Sequence, residues 1–399
     1  MMDEVNVNIR MYADDTSIYV KGKNEFTMAD QLNEALASIN DWASKWKITF
    51  NPTKTESVTF TRRKNIRDPP LFMNNVKIKS VESHKHLGLI LQSNAKWKLQ
   101  VENTITKCAK RLNVLKSLQY KFKRPTLELL YKAFIRPCLE YGSDIWLNCT
   151  LEQKRELENL QLKAARIVTG GTKGTIHENL YRETAWTSTY ERRLRKNLNT
   201  YYKIYHNQAP SYLTSLQPKR NQAKTNYRLR NRNQLQEMPT TTTLYTNSYI
   251  PKMTKVWNSL PDEVKYIGSL SDFKRHFSQE DKKPPVYNNS GSRKAQIYLA
   301  RLRMKCSPLN KHLHRQKIVD SPMCACGNDE EDEDHYLFNC PLYNEQQQLF
   351  TTVEQDIPRN VNTFLQRENT LPRRTATRLL AVVEEYIIRT GRFKSHHTQ

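Results

Sequence analysis

Residues 5–13 alternate, with Val5, Val7, Ile9, Met11 and Ala13 on one face, and the alternation resumes beyond Asp14-Asp15 with Thr16, Ile18 and Val20. A period of two predicts strand, tight turn and strand, with the aspartate pair at the tip, because aspartate tolerates turn geometry. The next stretch, TMADQLNEALASINDWASKW, switches period. Met28, Leu32, Ala35, Leu36, Ile39, Trp42, Ala43 and Trp46 recur at helical spacing and predict one buried face, with Thr27 and Asp30 as a capping-box-like start. Alternation returns in KITFNPTKTESVTFTRR, and LFMNNVKIKSVESHKHLGLILQ predicts a hairpin turning at Asn74-Asn75. Hairpin, helix, strand, hairpin makes an α+β layer over residues 1–94.

From residue 95 to 170 the pattern is helical throughout. Ile105, Cys108, Leu112, Leu115 and Leu118 form one stripe; Leu127, Leu130, Tyr131, Phe134 and Ile135 form another, which Pro137 is expected to end. Thr150 and Gln153 predict the cap of a third helix stopping at Gly170-Gly171. Lys107, Lys110, Arg111, Lys121, Lys123, Arg124 and Lys132 lie mostly off those stripes and predict one basic side. Residues 171–277 are basic and less periodic: KRNQAKTNYRLRNRNQ reads as a loop or extended contact, and YIPKMTKVWNSLPDEVKYIGSLSDFKRHF as aromatics packed by short helices. SQEDKKPPVYNNSGSRK, within 278–296, reads as a linker; a cysteine-containing region covers 297–350, and ATRLLAVVEEYIIRTG, within 351–399, is an amphipathic helix closed by Gly391.

Composition adds one strong statement. The net charge is +24, with Lys and Arg spread across roughly residues 45 to 320, which favours a polyanionic partner such as nucleic acid. The alternative is a basic surface that merely faces solvent. A hydrophobic fraction of 37% is polar but foldable. No apolar run approaches the length needed to span a membrane, and the N-terminus has no basic-then-apolar leader, so an intracellular protein with no membrane contact is expected. Seven scattered cysteines do not make a disulfide framework; Cys108, Cys138 and Cys149 sit among apolar positions and read as small core residues.

Two constellations carry chemistry. Adjacent carboxylates at an exposed turn repel each other, and a divalent cation removes that penalty. Mg²⁺ takes one or two carboxylates together with waters and phosphate oxygens, and paired metals serve in-line phosphoryl transfer. Asp14 and Asp15, two residues beyond Tyr12 and between apolar strands, suit that task.

MYADDTSIYV resembles the Tyr-Ala-Asp-Asp hairpin of reverse transcriptases, particularly those of non-LTR, LINE-type, jockey-like retrotransposons. ITFNPTKTESVTF is similar to the following element in these enzymes, with its Asn51, Lys54, Thr55 core, and HKHLGLILQSNAKW to the primer-grip hairpin after it. LYKAFIRPCLEYGSDIW resembles the thumb signature, while WNSLPDEV, SLSDFKRHF and LNKHLHRQKIVDSPMCACG…DHYLFNCPLY resemble the C-terminal region. The resemblance implies a partial palm over 1–94, a helical thumb over 95–170, a basic connection over 171–277 and a zinc-knuckle-like region near the C-terminus. It makes Asp14 a ligand of catalytic Mg²⁺ and Asp15 its acidic neighbour. It puts Tyr12 near the primer end or nucleotide, Lys54 near the triphosphate (or else a solvated turn lysine), and Leu87 and Gly88 in the primer grip. RNA template and DNA primer or target would be the partners. In such enzymes a further aspartate and the fingers lie upstream of this hairpin, and the only acids before Met11 are Asp3 and Glu4, so the chain alone is expected not to polymerise.

The second constellation is Cys324, Cys326, His335 and Cys340, spaced C-x-C-x8-H-x4-C. Three thiolates and an imidazole make a closed tetrahedral Zn²⁺ site. Gly327 permits a tight turn after the second thiolate, and Pro341 disfavours helix at Cys340. The His-x4-Cys half matches a zinc knuckle, but the first half has one residue between the cysteines where knuckles usually have two. That leaves open whether both bind, with His314 or Cys306 as substitutes. The acidic run Asp329–Asp334 reads as a solvated loop. The whole therefore reads as the C-terminal portion of a retrotransposon reverse transcriptase, binding nucleic acid through Lys107, Lys110 and Arg111 among others. A non-catalytic nucleic-acid-binding protein derived from such an element is the alternative; a zinc-stabilised interaction domain explains neither the charge nor the hairpin.

Overall fold

The computed structural model describes residues 7–63, 67–221, 234–278, 291–353, 357–367 and 371–393. It divides into two compact units, Met1–Asn103 and Thr104–Gln399. The mixture of helices and small sheets makes the chain α+β. Most of KRNQAKTNYRLRNRNQ and of the 278–296 segment lies outside the described residues. Among the described residues no helix is long and apolar enough to cross a membrane.

The first unit is built from separate two-stranded ladders. Asn8–Tyr12 pairs antiparallel with Asp15–Tyr19. The tip is therefore Ala13-Asp14, and Asp15 opens the second strand instead of sharing the turn; the expected start at Val5 lies outside the described residues. Helix Glu25–Lys45 follows, capped by Asn24, whose side chain accepts the amides of Phe26 and Thr27; the cap falls three residues earlier than Thr27. Its core-facing stripe is Ala29, Leu36 and Ala43, a seven-residue repeat. Trp42, one step and about 100° from Ala43, turns outward, and Trp46 is the C-cap, so both expected core tryptophans are exposed. Most of the expected third strand is a turn, Pro52–Lys54, with only Glu56–Ser57 extended against Lys79–Ser80. The region after it holds two hairpins where one turn was foreseen: Phe72–Met73 with Val76–Lys77, turning at Asn74-Asn75, and Ser83–His86 with Leu89–Gln92, turning at Leu87-Gly88. Leu36, Met73 and Ile78 form the small core, with Ile18, Phe50 and Leu71 against them. Asn33 fastens the helix to the chain by donating to the Pro70 carbonyl and accepting the Phe72 amide.

The second unit is helical. Cys108, Leu112 and Leu115 of helix Lys98–Ser117 are buried, and so are Leu127, Tyr131 and Ile135. Phe134 is 58% exposed, against expectation. Pro137 does not end the helix: a π-helical segment, Tyr131–Ile135, precedes it and the chain continues as Arg136–Glu140. A wider turn there accommodates the ring and the missing amide, which an unbroken α-ladder would not. Helix Leu151–Thr169 carries the expected Thr150–Gln153 capping box and ends at Gly170 with φ +79°. Helix Thr189–Tyr205 hid from the sequence because Arg193 and Asn197 lie on its buried side among Leu198, Tyr201, Tyr202 and Tyr205. These tyrosines pack on Met253, Trp257 and Phe273 of helices Tyr249–Asn258 and Leu270–Phe277. Tyr201 shares a 2.8 Å hydrogen bond with Thr254, and Tyr202 donates to the Ile267 carbonyl.

Arg124 is not part of a basic face. It is fully buried and pairs with Glu183 of helix His177–Thr184 at 2.6 Å, and Arg303 of helix Arg293–Arg303 reaches the other Glu183 oxygen at 2.9 Å. The final helix, Arg373–Thr390, is closed by Gly391 at φ +61°.

Candidate functional site

The aspartate hairpin is an exposed feature of the first unit. Tyr12 is 68% exposed, and Asp14 and Asp15 face solvent. Ala13 has φ +53° while Asp14 does not share the left-handed region. A positive φ at the first turn position alone is a turn that ordinarily takes glycine there, so an L side chain at Ala13 is strained. The other two turns are less costly, with Asn74-Asn75 and Leu87-Gly88 both positive in φ and an asparagine or glycine at three of the four positions.

Two histidines without an expected role tie these pieces together. His84 Nδ1 lies 2.7 Å from Glu56, two residues beyond Lys54, and His86 Nε2 lies 3.4 Å from Ser17 Oγ in the aspartate hairpin. Being two apart on one strand, they point to the same side, which was the available signal. His86 closes onto Leu89, so Ser17 meets the hairpin that turns at Leu87-Gly88. Lys54 ends its turn exposed, and Leu87 and Gly88 are exposed at their own turn. In the second unit Lys107, Lys110 and Arg111 are exposed on one helix, and Arg111 donates to the Phe134 carbonyl.

Cys324, Cys326, His335 and Cys340 converge, their ligand atoms all within 4.8 Å of one another. Cys324 Sγ is 3.6 Å from Cys340 Sγ, and Cys326 Sγ is 3.2 Å from His335 Nε2. Tetrahedral Zn²⁺ with its usual bond lengths spaces such atoms by roughly 3.5–3.8 Å, close to these values. Both cysteines of the short C-x-C pair are in the group. Cys306 and His314 are not, so the substitutes are unneeded.

Local structure explains the convergence. Met323 bridges Glu330, the Cys324 amide donates to the Asp329 carbonyl, and the Gly327 amide to the Cys324 carbonyl. Gly327 takes φ +80°, and a Cβ there would touch nothing, so glycine is needed for its backbone angle and not for space. Cys340 is extended at φ −79°, ψ 119° ahead of Pro341. His335 begins a second π-helical segment, His335–Asn339.

Burial pushes the Cys340 thiol up to about 12 and also raises Cys324, whereas the Asn328 amide, donating to Cys326 Sγ, draws that thiol down to about 7. Ligation by a divalent cation needs all three as thiolates, so metal uptake must release protons.

The acidic run is not a solvated loop. Glu331 is buried and meets Arg392 through two 2.6 Å contacts, while also accepting the Asn310 amide. Glu333 pairs with Arg367 at 2.6 Å and His312 at 3.4 Å. Burial works against its charge, but the His312 hydrogen bond and the His312 and Arg367 charges win and hold it down to about 2. Asp332 accepts the amide of the ligand His335 at 2.9 Å and meets Lys311. These acids fix the frame on which the cysteines hang. Their partners lie up to 61 residues away, which is why the run read as loop.

Comparison with known proteins gives the context. Residues 1–113 match the family model for reverse transcriptase (RNA-dependent DNA polymerase). The probable RNA-directed DNA polymerase from transposon X-element of Drosophila melanogaster is 26% identical over 227 residues, 55% of this chain and 24% of that protein. The RNA-directed DNA polymerase from mobile element jockey is 28% identical in D. melanogaster, over 42% of this chain and 19% of the relative. Its counterpart in D. funebris is 26% identical, over 42% and 18%. The chain thus spans about a quarter or less of the length of these curated relatives. No solved structure matches it. Over the residues that match, the chain is a relative of the reverse transcriptases of jockey-like, non-LTR retrotransposons.

Proposed function

We propose that this chain is a nucleic-acid-binding segment of a jockey-like reverse transcriptase. In this reading residues 1–94 are part of the palm and 95–170 the thumb, followed by a basic connection and a zinc-stabilised tail. The observation that carries it is the Tyr12–Asp15 hairpin turn inside the 113 residues that match the reverse-transcriptase family. Asp14 and Asp15 would contribute to a Mg²⁺ site for RNA-templated DNA synthesis, with Tyr12, Lys54, Leu87 and Gly88 near primer and nucleotide. Among the described residues, the one cluster of three or more ligand-bearing side chains is the Cys3His group, so the hairpin gathers no further acid around its two carboxylates. Those residues fit part of a two-metal site and not the whole.

That same observation favours, as a second reading, binding without catalysis. Two measurements separate the readings. Fluorescence titration with single-stranded RNA and with an RNA–DNA primer–template should show affinity falling steeply as salt rises, and charge reversal at Lys107, Lys110 and Arg111 should flatten the slope. Unchanged affinity from low to physiological salt would defeat both readings. Primer extension on an RNA template with Mg²⁺ or Mn²⁺ should give no product with this chain alone. Incorporation that disappears in Asp14→Ala would establish catalysis.

For the second metal, the donor set fits. Cys324, Cys326, His335 and Cys340 would hold Zn²⁺ as a closed structural site, which leaves no open position for chemistry.

A further inference from the structure

Between Glu102 and Glu128 the chain carries no carboxylate and seven Lys or Arg residues. The two flanking acids are each met by a lysine outside the run, Glu102 by Lys98 at 3.9 Å and Glu128 by Lys132 at 2.7 Å. Arg124 turns inward to Glu183, and the other six, Lys107, Lys110, Arg111, Lys116, Lys121 and Lys123, are exposed. Within this run lies Tyr120-Lys121-Phe122-Lys123, in the turn between helix Lys98–Ser117 and helix Arg124–Leu130. Tyr120 is 61% exposed and Phe122 42%. One exposed ring is ordinary on a protein surface. Two rings alternating with two ammonium groups, in a run without acids, match a strand of flat bases joined by regularly spaced charges.

The turn is also held in place. The Lys121 and Phe122 amides both donate to the Leu118 carbonyl. Helix Arg293–Arg303 fastens the turn at two further points: Arg293 Nε donates to the Gln119 carbonyl at 2.9 Å, and Gln296 Oε1 accepts the Arg124 amide at 3.0 Å. The rings are thus carried on a fixed backbone, and little of it has to be ordered when a ligand arrives.

We propose that this turn is a stacking platform for single-stranded nucleic acid, on which Tyr120 and Phe122 meet the faces of unpaired bases while Lys121 and Lys123 hold phosphates.

The strand type follows from the chemistry of the rings. A duplex stacks its bases on one another and offers few free faces, so aromatic contacts of this kind select unpaired bases. Stacking tolerates any sequence, because every base has a π-face, and the lysines meet only phosphate. The platform deepens the nucleic-acid-binding reading above, on which it rests, by naming the kind of strand and the residues that meet its bases. Two separable contributions result, one that salt weakens by counterion exchange and one that it leaves alone.

The experiment titrates the full chain by fluorescence anisotropy, across a range of salt, with three labelled probes. These are an oligothymidylate, a phosphodiester strand of the same length without bases, and the oligothymidylate paired with its complement. Wild type should prefer the oligothymidylate. Phe122→Ala and Tyr120→Ala should each weaken oligothymidylate binding about fivefold or more, with the base-free strand changed less than about twofold and the salt slope unchanged. Phe122→Tyr keeps a ring and should bind as wild type does. Replacing Lys121 and Lys123 together by glutamine should instead reduce the salt slope on both single strands by about 1.4. If both alanine variants bind oligothymidylate like wild type, the platform is overturned while the nucleic-acid reading stands. An equal loss on the base-free strand or on the duplex would overturn it too, since the rings would then act only by shaping the turn. Wild type that binds none of the three probes would remove the underlying reading and the platform with it. A wild-type dimer that Phe122→Ala dissociates in sedimentation would assign the rings to a contact between copies and overturn the platform as well.

Discussion

Cys340 has no accessible surface, and its sulfur stands 3.6 Å from that of Cys324. A serine there keeps the size but offers a hard, protonated oxygen where a soft thiolate is needed. The chain should bind about one Zn²⁺ as purified, and Cys340→Ser should bind almost none; metal analysis of the two proteins decides it, equal content removing the assignment. Asp144 makes a different residue-scale case. Its side chain is 27% exposed, and burial raises its pKa above the ordinary 3.8, with Lys196 at 3.7 Å offsetting only part of the effect. A carboxyl that holds its proton more tightly folded than unfolded contributes most below about 3.8. It costs stability as pH climbs from there through the folded-state value. Asp144→Asn should therefore stabilise the protein at pH 7, with the gain shrinking toward pH 4. Urea melts across that range would show it, and a gain independent of pH would contradict it.

At the scale of elements, the aspartate hairpin is held in spite of its turn. Ala13 at φ +53° costs roughly 1 kcal/mol that glycine would not. Ala13→Gly should slow amide exchange in Asp15–Tyr19 by about fivefold, since that factor corresponds to roughly 1 kcal/mol. Faster exchange would mean the alanine conformation is favoured by contacts yet unrecognised. Elements with local signals were legible in the sequence: the Thr150–Gln153 box, Gly170, Gly391 and the asparagine turn act within a few residues, and the cysteine–histidine spacing lies within one short segment, Cys324 to Cys340. Illegible features depended on distant partners. Glu331 and Glu333 look like surface acids until Arg392 and Arg367 arrive, and Arg124 looks like a surface base until Glu183 does. Trp42 and Trp46 mislead for the opposite reason. Hydrophobicity predicted burial, but the unit's small core is filled by Leu36, Met73 and Ile78, and on the helix Ala43 takes the buried side beside Trp42.

For the whole molecule, the aspartate hairpin and the cysteine–histidine centre belong to different compact units, so metal at one and metal at the other are separable properties. Glu183 has a further consequence. Its two oxygens are neutralised by Arg124, 59 positions earlier, and Arg303, 120 positions later. A nick, stop codon or insertion that removes everything after residue 277 would thus leave a carboxylate in the interior with half its compensation gone. Breaking a buried pair in this way costs about 3–5 kcal/mol, a large share of the stability of a typical domain. Chain 1–277 should then elute as aggregate in gel filtration where the full chain does not. Replacing Arg124 and Glu183 together by methionine should recover part of the monomer. Monomeric, cooperatively melting 1–277 without that replacement would show that the ionic bridge is dispensable. The bridge binds residues 124 to 303 into one block, which cannot be cut between those positions without leaving an interior charge unpaired among apolar surroundings.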